Sequence, residues 1–258
     1  LGLSFNYLNQ EVSFNEEIAW NYAANGKLWT YNLNYFEYLS NPEIRDDLKL
    51  STMRDFYAKR FTLIEGMEPY PISLRNINWI KFCFASGKRE FDSFIYSQAT
   101  PLSKSFEYHL MGNHLLENAF SLLFAAYYFK DMTFYSLASS VLLEQLDEQI
   151  LSDGAHFERS PMYHQIILGR LLDSIHLLRH SNWKTDLSVK FDQIASSMLS
   201  WVNQVSYSDG STPMVNDCAL DMAPPTHTLI EYANILEVHP LSLHKSFHPY
   251  RFEKVQFH

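Results

Sequence analysis

Two polar clusters interrupt sequence that is otherwise apolar and helical in pattern. The first runs Tyr108-His109-Leu110-Met111-Gly112-Asn113-His114-Leu115-Leu116-Glu117-Asn118. The second runs Asp153-Gly154-Ala155-His156-Phe157-Glu158-Arg159-Ser160-Pro161-Met162-Tyr163-His164. A hydrophobic core requires neither an Asn-His-x-x-Glu at one helix start nor an Arg-Ser-Pro-x-Tyr-His at another. Residues of these types can pair with the carboxylate of an acidic sugar and move its protons.

On a helix, Asn113, His114 and Glu117 fall within one turn, because positions three and four apart are neighbours. Leu115, Leu116 and Ala119 can then face inward while the polar groups gather at the helix start. Gly112 allows a turn or a close approach, and the positive end of the helix favours a bound carboxylate. Asn113 and His114 are thus candidate donors to an anion, and Glu117 can hold His114 in one tautomer. A capping and packing cluster would use the same residues. In the second cluster Tyr163 falls in the first turn after Ser160-Pro161, where its hydroxyl can project from the mouth of a helix pair. Arg159, just outside that helix, suits a bidentate grip on a carboxylate or sulfate, and Glu158 can balance its charge. A tyrosine ionises near pH ~10, so service as a base calls for neighbouring positive charge. Arg159, His156 and His164 are the candidates to supply it. A buried tyrosine with a satisfied hydroxyl is the competing reading.

Two further stretches carry polar groups. In Pro69-Tyr70-Pro71-Ile72-Ser73-Leu74-Arg75-Asn76-Ile77-Asn78-Trp79, the side chains of Arg75, Asn76, Asn78 and Trp79 can line a saccharide groove, with Trp79 as a stacking platform; structural packing explains them equally well. Met214-Val215-Asn216-Asp217-Cys218-Ala219 is a polar loop that can border a cleft.

The elements that must position these groups read as helices. With 258 residues the chain is long enough for a large core, and its 8 glycines argue against a turn-rich β-sandwich. Apolar positions recur at helical spacing around Ile18-Ala19-Trp20 and from Leu33 to Leu39, until Asn41-Pro42 breaks the pattern. Helices are predicted over 43–60, from Ser73 to about Gly87, and over 89–111, 114–129, 132–151, 161–180, 185–205 and 226–236. Glu68-Pro69-Tyr70-Pro71 reads as an extended connector, because a residue before proline avoids the helical region. Ser160-Pro161 is a start signal: serine caps, and proline occupies a first turn where its missing N–H costs nothing. Helices of this length joined by short loops imply stacked antiparallel pairs. Periodicity alone leaves an open bundle, a solenoid and a closed toroid as alternatives.

Charge and cysteine usage exclude several classes. The net charge of −9 comes without a basic run, which argues against a nucleic-acid partner. It leaves an anionic sugar possible, since a local cluster outweighs the global sign within a Debye length of about 8 Å. Cys83 and Cys218 are too few and too far apart for a zinc site or a disulfide framework, and no metal or other cofactor is implied. No run of about 18 apolar residues occurs, so no membrane span is expected.

On these motifs the chain resembles the heparinase II/III-like family of polysaccharide lyases. The matching phrases are Trp29-Thr30-Tyr31-Asn32-Leu33-Asn34-Tyr35-Phe36, Pro69-Tyr70-Pro71-Ile72-Ser73-Leu74-Arg75, Gly112-Asn113-His114-Leu115-Leu116-Glu117-Asn118 and His156-Phe157-Glu158-Arg159-Ser160-Pro161-Met162-Tyr163-His164. The last is the most specific. The resemblance implies an all-α fold, an incomplete (α/α) toroid of antiparallel helix pairs over residues 1–240, followed by a β-sandwich domain. It implies β-elimination on an acidic polysaccharide: a base takes the C5 proton of a uronic acid and the 4-linked sugar leaves. Carried over by motif, Asn113 and His114 neutralise the uronate, Glu117 positions His114, and Tyr163 serves as base, acid or both. Arg159 is, on the same basis, a substrate contact or site organiser; His164, Arg75, Asn78 and Trp79 are further candidate substrate-binding residues on their types and positions.

The family pattern also includes a histidine from the β-sandwich, and no motif makes His239, His244, His248 or His258 its equivalent. The chain starts at Leu1, and Phe252 to His258 alternates like the first strand of a further domain. Residues 241–258 are accordingly read as a linker and the possible start of a truncated β-sandwich, and a fragment with weak or absent activity is expected. A toroid glycoside hydrolase would need two carboxylic acids across the bond, drawn from Glu117, Glu158, Asp153 and Asp217. A saccharide-binding or catalytically lapsed domain, acting around bacterial surface polysaccharide, is the alternative from another class. Heparan sulfate, alginate and capsular polysaccharides all carry acidic sugars, and sparse basic residues favour a carboxylate-only chain over a densely sulfated one. Compartment and oligomeric state stay open.

Overall fold

In a computed structural model, residues 3–15, 17–104, 106–108, 112–220 and 222–241 are described. His109 to Met111 of the first motif, and the alternating stretch 252–258, lie outside the described residues. By internal contacts the chain divides into two compact units. Over the described residues, the first comprises 3–108 with Glu117–Ala138, and the second 112–116 with 139–241.

The first unit opens on a β-hairpin where the sequence reading expected only helix. Strand β1 (Leu3–Tyr7) pairs antiparallel with β2 (Gln10–Phe14), Leu3 opposite Phe14 and Tyr7 opposite Gln10. The two turn residues Leu8 and Asn9 both have positive φ, as the tight turns that match strand twist require. The period-two signal was present in Leu3, Phe5, Tyr7 and Val12, Phe14, but helical spacing further along obscured it. Phe5 is buried, its ring edge-on to Tyr38.

Helices α1 (Lys27–Tyr35), α2 (Asp46–Ala58), α3 (Pro69–Ser86) and α4 (Asp92–Leu102) follow, with a short 3-10 turn at Glu37–Ser40. Helix α3 begins four residues earlier than expected. Only Glu68 is extended; Pro69 and Pro71 sit in the first turn, where no intrahelical N–H is required. Gly87 closes α3 in the left-handed conformation, its N–H bonded to the Cys83 carbonyl. The core of this unit is aromatic. Phe36 stacks on Trp20 and meets Phe56 and Trp79 edge-on, with centroids 5.0–5.3 Å apart from Phe36 to Trp79 and from Trp79 to Phe91. Such edge contacts add about 0.5–1.5 kcal/mol per pair beyond area burial.

Helix α5 (Gly112–Phe129) starts in the second unit and continues into the first, and α6 (Met132–Gln149) runs the other way between them in sequence. The second unit is completed by α7 (Pro161–His180), α8 (Ser188–Val205) and α9 (Thr226–Ile235). Helices α7 and α8 are antiparallel: His164 near the start of α7 bonds the Met198 carbonyl late in α8, while Arg179 near its end pairs with Asp192 early in α8 at 2.8 Å. Leu168, Leu171, Leu172 and Ile175 meet this partner with Ala195, Met198 and Val202, all buried. Predicted and observed α7 coincide because Ser160 caps as read, its Oγ accepting the Tyr163 N–H. Gly154 fixes the turn before it: with φ +89° and the Ser197 carbonyl oxygen 2.2 Å from where a Cβ would stand, no other residue fits. Among the described residues, no helix is long and apolar enough to cross a membrane.

Candidate active site

The second unit gathers a polar ring around the start of α5. Gly112 has φ +52°, and a Cβ there would lie 2.5 Å from Glu158 Oε1, so the missing side chain lets the Glu158 carboxylate reach the helix N-terminus. There the Asn113 backbone N–H donates to it. Burial raises the Glu158 pKa first and foremost; that N–H opposes the shift, the Asp217 charge adds to it, and His114 opposes it. Asn113 is 9% exposed, whereas His114 is half-buried and Glu158 exposed. The helix start therefore already holds a carboxylate, the chain's own, bonded to the Asn113 N–H and within electrostatic reach of His114 and Asp217.

Tyr163 is half-buried on the first turn of α7 and feels the charges of Asp217 and Glu158. Its hydroxyl donates to Asp217 Oδ2 at 2.5 Å. Its pKa is pushed well above the usual phenol value, mainly by burial, then by the Asp217 bond and charge, and by the charges of Glu158 and Cys218. The sequence reading looked to Arg159, His156 and His164 for positive charge that would favour phenolate. The structure surrounds the phenol with carboxylates instead, and both histidines are neutral. Arg159 is exposed and adopts a left-handed backbone (φ +55°), uncommon for a residue with a side chain. Its carbonyl accepts the Asn216 side-chain amide at 2.7 Å.

Beneath the ring lies a dry support. Gln149 Nε2 donates to the Gly112 carbonyl at 3.1 Å, and Gln149 Oε1 faces His156 Nε2 at 3.1 Å. That contact requires His156 to carry its proton on Nε2. Burial lowers its pKa to about 4. His164, fully buried, faces the Met198 carbonyl through Nε2 and packs on Trp201 with centroids 4.4 Å apart. Desolvation lowers its pKa to about 3, so it enters the core as a neutral side chain rather than a substrate contact.

The residues singled out in the first unit are mostly sealed. Arg75 is 0% exposed and its guanidinium is spent internally: Nε donates to Gln98 at 3.1 Å, and Nη1 to the carbonyls of Gly66 (2.9 Å) and Asn34 (3.4 Å). Desolvation lowers its pKa to about 9, against the attraction of Glu68. Trp79 is 1% exposed inside the aromatic core and presents no face for stacking. Arg75, Trp79 and His164, expected as substrate contacts, are thus each enclosed by their own packing. Asn76 is likewise buried, at 1%. Asn78 is half-buried, donates to the Tyr35 carbonyl at 2.8 Å, and lines a cavity of about 310 Å³ with Lys49, Lys81 and Phe82. Glu117, one turn beyond Asn113 on α5, is fully buried, and its charge adds a minor part to the rise in the Tyr35 pKa that burial chiefly causes.

The sequence offers Asp217 only as part of a polar loop and as one of four acids a hydrolase could use, so its bond to Tyr163 is not anticipated. Its signal was the Asn-Asp pair in a loop after a helix, which has no periodicity to fix its place. Among the described residues no group of three or more metal-binding side chains comes together.

This helical fold, with its site at the starts of two helices, can be placed among known proteins. The chain belongs to the heparinase II/III family: residues 89–244, more than half its length, match the family model described as Heparinase II/III N-terminus. The matched segment includes the ring around Tyr163 and excludes Arg75, Asn78 and Trp79. A heparin-sulfate lyase of Pedobacter heparinus is 29% identical over 132 residues, which is 50% of this chain and 20% of that protein. Two solved structures share the fold, each with a TM-score of 0.58: a heparan sulfate lyase HepC mutant from Pedobacter heparinus (20% identity, 81% of this chain, 37% of that one) and heparinase III (17%, 86% and 39%). The all-α class implied by the resemblance holds, with the N-terminal hairpin as an addition. The chain spans about a fifth of the curated relative and under two fifths of the two structures.

Proposed function

We propose that this chain carries part of the active site of a polysaccharide lyase that cleaves uronic-acid-containing polysaccharide by β-elimination. The observation that carries the reading is the carboxylate held at the start of α5. Glu158 accepts the Asn113 N–H there, beside His114, which is the environment a uronate carboxylate requires. Proton removal from C5 builds charge on that carboxylate, and fixed donors at a helix N-terminus stabilise it. In this reading Asn113 and His114 neutralise the uronate in the place Glu158 now occupies. Tyr163 serves as the base that takes the C5 proton, as the acid that protonates the departing O4, or as both, while Glu117 supports α5 from within and exposed Arg159 meets the polymer. Asn78, in the first unit, is retained as a candidate saccharide contact.

Exposed Glu158 and Asp217 place two negative charges at the ring, which disfavours densely sulfated chains and favours carboxylate-only segments. The test is the ultraviolet absorbance of a new C4–C5 double bond when the chain, and the longest natural protein containing it, meet a panel of uronate polysaccharides beside Tyr163→Phe. Absorbance that rises with the wild type and not with the variant supports the lyase. Binding without any unsaturated product supports a second reading, a saccharide-binding or catalytically lapsed domain. That alternative is favoured by one observation: the Tyr163 phenol is raised in pKa and already bonded to Asp217, so it is no ready base.

A further inference from the structure

The loop that carries Asp217 is bonded at several points to the start of α7 and the two residues before it, the Ser160 hydroxyl also meeting Cys218 Sγ at 3.2 Å. Ser160 Oγ donates to the Asp217 carbonyl at 2.8 Å while accepting the Tyr163 N–H. The Asn216 amide donates to the Arg159 carbonyl at 2.7 Å, the Ala219 N–H meets Met162 Sδ at 3.3 Å, and the Tyr163 hydroxyl donates to Asp217 Oδ2. Asn216 takes φ +56°, a left-handed conformation that asparagine tolerates better than most residues. The loop backbone is therefore held independently of the Asp217 carboxylate, which is left to engage the one hydroxyl. Packing alone does not call for this: Asp217 is exposed, and a carboxylate on an exposed loop is well solvated by water. At 2.5 Å the bond is of the short, charge-assisted kind that orients both partners.

We infer that Asp217 is a positioning residue for Tyr163, clamping the phenol so that it meets the substrate in one orientation and still carrying its proton. The inference rests on the lyase reading for the use made of that proton. The charged and titratable groups acting on the phenol from the packed elements are Asp217 and Cys218 on the loop and Glu158 before α7; all three favour the proton-bearing form. Arg159, exposed between Glu158 and Ser160, is the nearest cation in sequence. Of these only Asp217 bonds the hydroxyl directly, so its charge dominates among the carboxylates.

The experiment follows tyrosine ring carbons by NMR through an alkaline titration of the chain labelled at tyrosine Cζ, with Tyr163→Phe identifying the Tyr163 signal. In the wild type that signal should keep its protonated position at a pH where exposed tyrosines have ionised. In Asp217→Asn, which keeps the shape and an acceptor but removes the charge, its midpoint should fall by a pH unit or more while other tyrosines stay put. Asp217→Glu should hold the midpoint high. A Tyr163 signal that titrates with the exposed tyrosines in the wild type overturns the inference without any variant. So does an unchanged midpoint in a folded Asp217→Asn. The titration needs no turnover: a fall in midpoint without unsaturated product sinks the lyase reading alone, and product without a fall sinks only the role of Asp217.

Discussion

Arg75 and Tyr163 head two clusters that look alike as sequence, each a hydrogen-bonding group among Asn, Ser and aromatic neighbours. In space they differ completely. Arg75 Nε and Nη1 donate to groups inside the first unit, and the guanidinium also covers the Phe56 ring at 4.8 Å. Tyr163 in the second unit is half-buried, and its partner is an exposed carboxylate on a loop. A polar group sealed among satisfied partners holds elements together. One at a helix mouth, with a partner that solvent or substrate can replace, is available for chemistry.

The comparison breaks most decisively at Arg75. Arg75→Ala should lower the stability of the first unit by about 3 kcal/mol or more, since the Gly66 and Asn34 carbonyls and Gln98 lose a buried charged donor. Urea unfolding measures this, and a loss under about 1 kcal/mol would mean that the cluster is not sealed. Gly154→Ala in the second unit should cost about 2 kcal/mol or more, because a Cβ would meet the backbone oxygen of Ser197 at 2.2 Å with φ already positive. Hydrogen exchange of the α7 and α8 amides would register it.

Acid should act on the second unit through its buried histidines. His156 and His164 titrate at about 4 and about 3 when folded, below the ordinary value. Between pH ~6.5 and those values the unfolded chain binds the protons that the folded one refuses, so stability is full above pH ~6.5 and falls as pH drops. Each histidine contributes a slope approaching ~1.4 kcal/mol per pH unit, and His156→Gln should flatten the dependence of the urea midpoint on pH between about 6 and 4.5. Ser160→Ala removes both a helix cap and a tie to the Asp217 loop, and should cost about 1–2 kcal/mol in thermal or urea unfolding. Tyr163→Phe should change stability least, by about 1 kcal/mol or less, while abolishing any unsaturated product. A large stability loss there would place Tyr163 with Arg75 among structural groups.

Much of this was legible before any coordinates. Helix α7 was read to the residue because Ser160 and Pro161 carry local start signals that tertiary contacts have no reason to override. The all-α class followed from long apolar periodicity and few glycines. The start of α3 was misread because Pro69 and Pro71 signal both an extended connector and a first helical turn, and only the packing that follows selects between them. The hairpin was missed because its five-residue strands are shorter than the windows in which helical periodicity is judged.

For the site, the residue types and the two helix starts were written in the chain: Asn113 and His114 at one, Arg159 and Tyr163 at the other. Their local positions follow from caps, glycines and the helical repeat, which act over a few residues. Burial and charge environment do not. Whether Arg75 and Trp79 are open or enclosed depends on elements distant in sequence, and so does the choice between a cation and a carboxylate beside the Tyr163 hydroxyl. Asp217 lies 54 positions from Tyr163 along the chain, and only the folded second unit brings its carboxylate to the phenol. Short-range signals along the chain set which groups were available and on which helices. The tertiary structure alone decided which of them face water, because desolvation and Coulomb interactions depend on distance in space rather than along the chain.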